Sequence, residues 1–346
     1  MNIDASPKNI LYAILFVIGF FILLGIFTVV VGNMVEDESP DSEDVKKSAV
    51  VTSKEVEKER EDSVVITEPI EGDPYQELDE LIGLESVKEE VRTLANFAKV
   101  QQQRASKGLK TPKMSYHLVF TGSPGTGKTT VARIVARIYK DLGILKKGHT
   151  VETDRSGLVA EYVGQTAVKT NAIVDSALNG VLFIDEAYAL VPEDSRSDYG
   201  QEAISTLLKR MEDDRDKLVV IIAGYPNEMK RFINSNPGLQ SRFNRYINFP
   251  DYTADELHRI FHLYLNKNEY RISEEADAFL RSRLEDIVAH KDRNFGNARY
   301  VRNLFEKIIQ HQANRLASRR NLSSEELSLI TIEDVVKELT SRQVDE

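Results

Sequence analysis

Hydrophobic residues follow three different patterns along this chain. No charge occurs from Asn9 to Val35, and ILYAILFVIGFFILLGIFTVVV, residues 10–31, is 22 residues long. A helix of that length crosses about 30 Å of hydrocarbon. The run exceeds the apolar core of a secretory signal, and VVVGNMVEDE offers no small-x-small cleavage pattern, so residues 1–32 are expected to form one uncleaved transmembrane anchor. Residues 33–74 lose the apolar pattern, are almost free of aromatics and contain Pro40, Pro69 and Pro74; they read as a flexible linker.

From Tyr75 helical periodicity alternates with short continuous apolar runs. ESVKEEVRTLANFAKVQQQR is patterned as an amphipathic helix, whereas YHLVFTG, HTVET, GVLFIDEA, KLVVIIAG and YINFP resemble strands buried on both faces of a parallel sheet. After Pro250 the strand signals stop, and helices are expected at roughly 253–268, 273–290, 297–318 and 332–342. An α/β domain over residues 75–250 followed by a helical domain over 251–346 is the expectation.

Composition changes this picture at two points. The formal charge of −10 is concentrated in residues 33–74, which hold 14 Asp and Glu against 5 Lys and Arg, so the linker is acidic and the rest of the chain nearly neutral. No basic stripe accompanies the α/β pattern, and no nucleic-acid partner is expected. The absence of cysteine excludes disulfides, thiolate metal sites and cysteine nucleophiles. His258 and His262 stand four apart, but Arg259 occupies the position where an H-E-x-x-H protease has its glutamate, leaving two helix histidines.

Candidate chemistry begins at GSPGTGKT, Gly122–Thr129, which satisfies G-x-x-x-x-G-K-[ST] between a strand-like run and a helix. Gly122, Gly125 and Gly127, with Ser123, Pro124 and Thr126 between them, allow backbone amides to curl around phosphate oxygens at a helix N-terminus. Lys128 is expected to reach the β and γ phosphates of ATP and Thr129 to ligate Mg2+, with Thr130 following in the same stretch. The buried strand in VLFIDEA carries Asp185 toward the metal and Glu186 toward an attacking water. Arg242 and Arg245 before the last strand, and Arg299 and Arg302 in a lid helix, are candidate cations for transition-state charge.

The P-loop with VLFIDEAYAL, DYGQEAI, VVIIAGY, NPGLQSRF, FPDY and NARYVRN, in this order, resembles the AAA+ ATPases of the group containing red-type Rubisco activases and stage V sporulation protein K, over about residues 76–340. The resemblance implies a five-stranded parallel sheet, a helical lid, ATP between them and a homo-oligomeric ring, usually a hexamer. It also implies an arginine finger at Arg242, the lid arginine called sensor 2 at Arg299, and an adenine loop at Ile82 and Gly83. Where many AAA+ proteins end the fourth strand with a water-positioning asparagine, this chain has AGYPN, so either Tyr225 or Asn227 serves or the function is moved, and that sensor is left unassigned. EYVGQT falls where the family has its pore loop, assigning Tyr162, Val163 and Gly164 to it. The competing reading is that Leu158 and Tyr162, four apart, are one stripe of a packed helix.

The function expected from these features is remodelling of a protein substrate by a membrane-anchored ATPase. Lys8 before the span weakly favours a cytoplasmic N-terminus, but the need for ATP assigns the ATPase domain to the cytoplasm. A nucleotide-gated membrane scaffold serving assembly or secretion is the alternative, with a nucleic-acid-acting AAA+ protein behind it. The protein substrate is left open.

Overall fold

The computed structural model describes residues 64–112, 115–162, 164–191 and 199–341. The expected span at residues 10–31 lies outside them; among the described residues no helix is long and apolar enough to cross a membrane.

Among the described residues six strands form the main sheet: β1 (Val64–Thr67), β2 (Leu118–Gly122), β3 (Thr150–Thr153), β4 (Val181–Ile184), β5 (Val219–Gly224) and β6 (Tyr246–Phe249), in the order β1-β3-β4-β5-β2-β6. The five strands read from sequence are present and mutually parallel, but the sheet is mixed, because β1 runs antiparallel to β3 with Val64 opposite Thr153. This corrects the purely parallel expectation. Strands β4 and β5 are buried throughout, so they read as unbroken apolar runs, whereas β1 is an edge strand whose Val65 and Ile66 are each 54% exposed. Four residues inside an acidic stretch gave no periodicity to detect. The expected linker of 33–74 therefore contains a strand, and its last residue, Pro74, opens helix α1 (Pro74–Glu80), capped by Asp73 accepting from the amide of Tyr75 at 2.8 Å.

Alternation along the strands divides the core. Leu118 and Phe120, Val181 and Phe183, and Val219 and Ile221 face the side covered by α2 (Glu85–Ser106) and α3 (Lys128–Asp141). Val119, Leu182, Ile184, Val220 and Ile222 face the opposite side, covered by α4 (Arg155–Leu158), α5 (Thr166–Ser176), α6 (Tyr199–Asp213), α7 (Pro226–Asn234) and α8 (Pro237–Arg242). In α2 the buried positions Val87, Val91, Leu94, Ala95 and Ala98 keep the helical spacing that predicted it.

The lid comprises α9 (Ala254–Lys267), β7 (Arg271–Ile272), α10 (Glu274–Ala289), α11 (Ala298–Leu316), α12 (Ser324–Ser328), β8 (Leu329–Ile330) and α13 (Ile332–Ser341). The four expected helices are α9, α10, α11 and α13. The two-residue parallel pair β7–β8 corrects the expectation that strands end at Pro250; it is too short for a period to register. A capping box between Thr253 and Glu256 starts α9. Leu257, Phe261, Leu280, Leu304 and Ile308 belong to the same apolar cluster as Phe120 and Ile134, so the lid shares one core with the P-loop side of the sheet.

Candidate active site

The P-loop leaves the buried end of β2 and runs into α3, which starts at Lys128. Lys128 Nζ donates to the carbonyls of Gly122 at 2.9 Å and Ser123 at 2.8 Å, holding the ammonium inside the loop. Burial lowers its pKa; Asp185 opposes that shift and Arg299 adds to it, so cationic and acidic groups converge around this amine. Thr126, fully buried, donates through Oγ1 to the Ser123 carbonyl at 2.9 Å and fixes the loop from within.

At the end of β4 the amide of Asp185 donates to the carbonyl of Thr153 at 2.8 Å, and its Oδ1 accepts from the amide of Glu186 at 3.0 Å. Glu186 adopts a left-handed conformation, φ 46 and ψ 42, before the 3-10 turn Ala187–Leu190. A non-glycine residue in that region costs about 1 to 2 kcal/mol, and such strain concentrates at functional positions.

One cleft of about 410 Å3 brings together Gly122, Pro124, Gly125, Gly127, Lys128, Thr129, Thr130, Asp185, Glu186 and Arg299. The sequence-predicted Ser123 borders an adjoining cleft instead, and Thr126 lies beneath the loop. Ile82 and Gly83 are not among the residues lining either cleft; Gly83 faces the carboxylate of Glu256. Tyr225 borders the main cleft and Asn227 only the adjoining one. The Tyr225 hydroxyl is raised by burial and then by the charge of Glu186, and the same two causes push Tyr188 up to about 12. Gly224, Tyr264 and Ala298 also line the cleft and had no sequence signal of their own.

Sequence reasoning missed Asn297 as well. It is fully buried at φ 47, donating through Nδ2 to Asp251 Oδ1 at 3.0 Å, the Phe295 carbonyl at 3.1 Å and the Pro124 carbonyl at 3.3 Å, while Oδ1 accepts from the amide of Tyr252 at 3.0 Å. The next residue, Ala298, donates its amide to the Gly125 carbonyl at 3.2 Å. An asparagine before a helical pattern, tolerant of positive φ, was the available clue. Burial raises the pKa of Asp251, but hydrogen bonds from Lys291, Ser123 and Asn297 outweigh it and hold the carboxyl below its usual value.

The four candidate arginines separate. Arg299 and Arg302 border the cleft, Arg302 also donating through Nε to Glu306 at 2.9 Å. Arg245 lies over the Phe97 ring, 5.4 Å from its centroid. Arg242 ends α8 away from the cleft lining, with Nη2 3.7 Å from Glu212 and a buried Nε that has no hydrogen-bond partner among the described residues. Beside it, His117 Nδ1 accepts from the amide of Val220 at 2.9 Å, and burial, aided by the Arg242 charge, lowers its pKa to about 4.

Leu158 is buried where α4 ends, whereas Tyr162, in the loop to α5, is 66% exposed, so the two do not form one packed stripe. Gly164 has φ +78, and a Cβ added there would meet none of the described residues within 4 Å; Val163 lies outside them. The loop is tied at its base by Thr166 Oγ1, which accepts from the amide of Ala160 at 3.1 Å.

A glycine-rich loop with a buried amine suits a polyphosphate, and the hydroxyl of Thr129 with the carboxylate of Asp185, bordering the same cleft, is an oxygen donor set suited to Mg2+. Residues 118–251 match the family described as ATPase family associated with various cellular activities (AAA), and residues 253–345 match the AAA lid domain. Stage V sporulation protein K of Bacillus subtilis is 41% identical over 77% of this chain and 83% of its own. The chloroplastic ribulose bisphosphate carboxylase/oxygenase activase of Cyanidioschyzon merolae is 44% identical over 75% of this chain and 88% of its own. ESX-3 secretion system protein EccA3 of Mycobacterium tuberculosis is 44% identical over 75% of this chain, which spans only 44% of that relative. Among solved structures, the FIGL-1 AAA domain aligns with a TM-score of 0.56 at 16% identity over 81% of this chain and 85% of its own, a likeness of fold alone.

Proposed function

The chain belongs to the AAA+ ATPases and hydrolyses ATP, and from that premise we propose that it is a membrane-tethered hexameric motor that remodels a protein gripped at the pore of the ring. Lys128 and the P-loop amides bind the phosphates, Thr129 and Asp185 hold Mg2+, and Glu186 takes the proton of the attacking water. Mg2+, when bound, supplies charge neutralisation of the phosphate oxygens. Arg299 contributes positive charge from the lid, and Arg242, turned away from its own cleft, serves the neighbouring subunit. Ile82 and Gly83 flank the adenine. Tyr225 occupies the position of the water-positioning residue, supported by its presence in the cleft from which Asn227 is absent.

The observation that carries the remodelling reading is Tyr162, a large aromatic left 66% exposed beside an unobstructed Gly164. Tyr162, Val163 and Gly164 act as the grip, and the glycine lets it bend during the ATP cycle. Residues 10–31 anchor the ring, with the acidic linker holding the ATPase domain on the cytoplasmic side. The names of the relatives point to several substrates; an anchor and linker favour a protein reached at the membrane over a soluble carboxylase.

The test uses a Glu186→Gln trap, expected to bind ATP and retain substrate without turnover. Adding Tyr162→Ala should release the captured protein while single Tyr162→Ala rings keep wild-type melting and basal ATPase. Undiminished capture by the double variant would instead support the scaffold reading.

A further inference from the structure

Outside the nucleotide cleft, the lid brings together three metal-ligating side chains from two helices. His258 and His262 lie one turn apart on α9, and Asp277 lies in the first turn of α10. Both imidazoles aim Nε2 at the same carboxylate oxygen: Asp277 Oδ1 is 2.9 Å from His258 and 2.8 Å from His262. The rings meet edge to face with centroids 4.6 Å apart, and the three potential ligand atoms lie within 4.8 Å of one another. Arg281, one turn along α10 from Asp277, pairs instead with Asp255 at 2.8 Å.

We propose that His258, His262 and Asp277 form a binding site for a divalent transition metal of the zinc class, clipping α9 to α10. Two imidazole nitrogens and one carboxylate oxygen suit Zn2+, whereas Mg2+ prefers oxygen donors and keeps much of its water. Tetrahedral zinc ligands stand about 3.3 Å apart for bonds near 2.0 to 2.1 Å, so the two imidazole–carboxylate contacts open slightly while the imidazole nitrogens, no more than 4.8 Å apart, settle around the ion. Binding takes each neutral ring in the tautomer whose single N–H proton sits on Nδ1, leaving the Nε2 lone pair for the metal. His258 is mostly covered, at 11% side-chain exposure, while His262 is 38% exposed, giving a firm inner ligand and an open side where water completes the coordination. Arg259 stands where a metalloprotease has its base, so the site binds and braces rather than hydrolyses. The brace touches function through α9, which also presents Tyr264 to the nucleotide cleft.

The test titrates detergent-solubilised, nucleotide-free full chain with ZnCl2 in the presence of excess Mg2+, by calorimetry and thermal melting. One Zn2+ per chain is expected, with a rise in melting temperature that Mg2+ does not suppress. His262→Ala and Asp277→Asn should each weaken binding by at least about 10- to 100-fold, the scale on which even outer-shell partners of metal ligands act. Equal uptake by wild type and both variants would assign the zinc elsewhere and overturn the proposal. So would an absence of uptake in wild type combined with a lower melting temperature for Asp277→Asn, which would make the cluster only a hydrogen-bonded knot.

Discussion

The P-loop–lid junction and the loop around Tyr162 treat their side chains in opposite ways. At the junction nearly every polar group is committed: Asn297 serves four partners, Ala298 bonds Gly125, and Asp251 gathers Lys291, Ser123 and Asn297. In the other loop Tyr162 is 66% exposed and a Cβ on Gly164 would meet none of the described residues within 4 Å. The first region satisfies its polar groups within one chain. The second leaves its side chains without such partners, and Arg242, whose Nε lacks a hydrogen-bond partner among the described residues and lies outside the cleft, is grouped with it under the proposed function.

That division is most strongly tested at Arg242. If it completes a neighbour's site, Arg242→Ala lowers ATP turnover by about 10³- to 10⁵-fold, and mixing it with Lys128→Ala subunits restores part of the activity. Turnover of mixed rings, with assembly measured separately, checks this; rings that form without rescue would place Arg242 among the groups that act within one chain.

A smaller effect is expected from Asn297→Ala. Removing the side chain leaves buried partners unpaired, at about 1 to 3 kcal/mol for an unsatisfied group, and the replacement retains a positive φ. Denaturant unfolding should register a loss of about 3 kcal/mol together with weaker nucleotide binding. A loss of binding without destabilisation would mean that the junction is less closed than its hydrogen bonds imply.

The subtlest test applies one substitution to both regions. At Gly125, φ +70, an added methyl collides with the carbonyl of Gly296, whereas at Gly164, φ +78, it meets nothing within 4 Å. Both alanines incur the left-handed cost of about 1 to 2 kcal/mol, but Gly125→Ala must also displace the lid, adding about 1 to 3 kcal/mol of the kind seen on overpacking. Melting and nucleotide affinity should therefore fall further for Gly125→Ala; equal losses would erase the contrast.

Much of this organisation was written in local pattern. The five parallel strands are short apolar runs because both faces are buried, and the four main lid helices keep their periodicity because each buries one stripe. The P-loop, Asp185 and Glu186 were readable because phosphate chemistry demands particular residues at fixed spacing next to a strand end. The exposed edge strand β1 had no such stripe, and the β7–β8 pair was too short to have one.

What tertiary structure alone decided is which distant residues meet. The sequence by itself determined the α/β core, the helical lid and the phosphate-binding loop, since each follows from spacing within a few residues. It did not determine that Asn297 would reach across to Pro124, that Tyr225 rather than Asn227 would border the cleft, or that Asp277 would face two histidines on another helix. Those contacts depend on how packed elements are set against one another. Tyr162 shows the same limit: its spacing from Leu158 permitted one helix face, and only the end of α4 at Leu158 left the tyrosine in solvent.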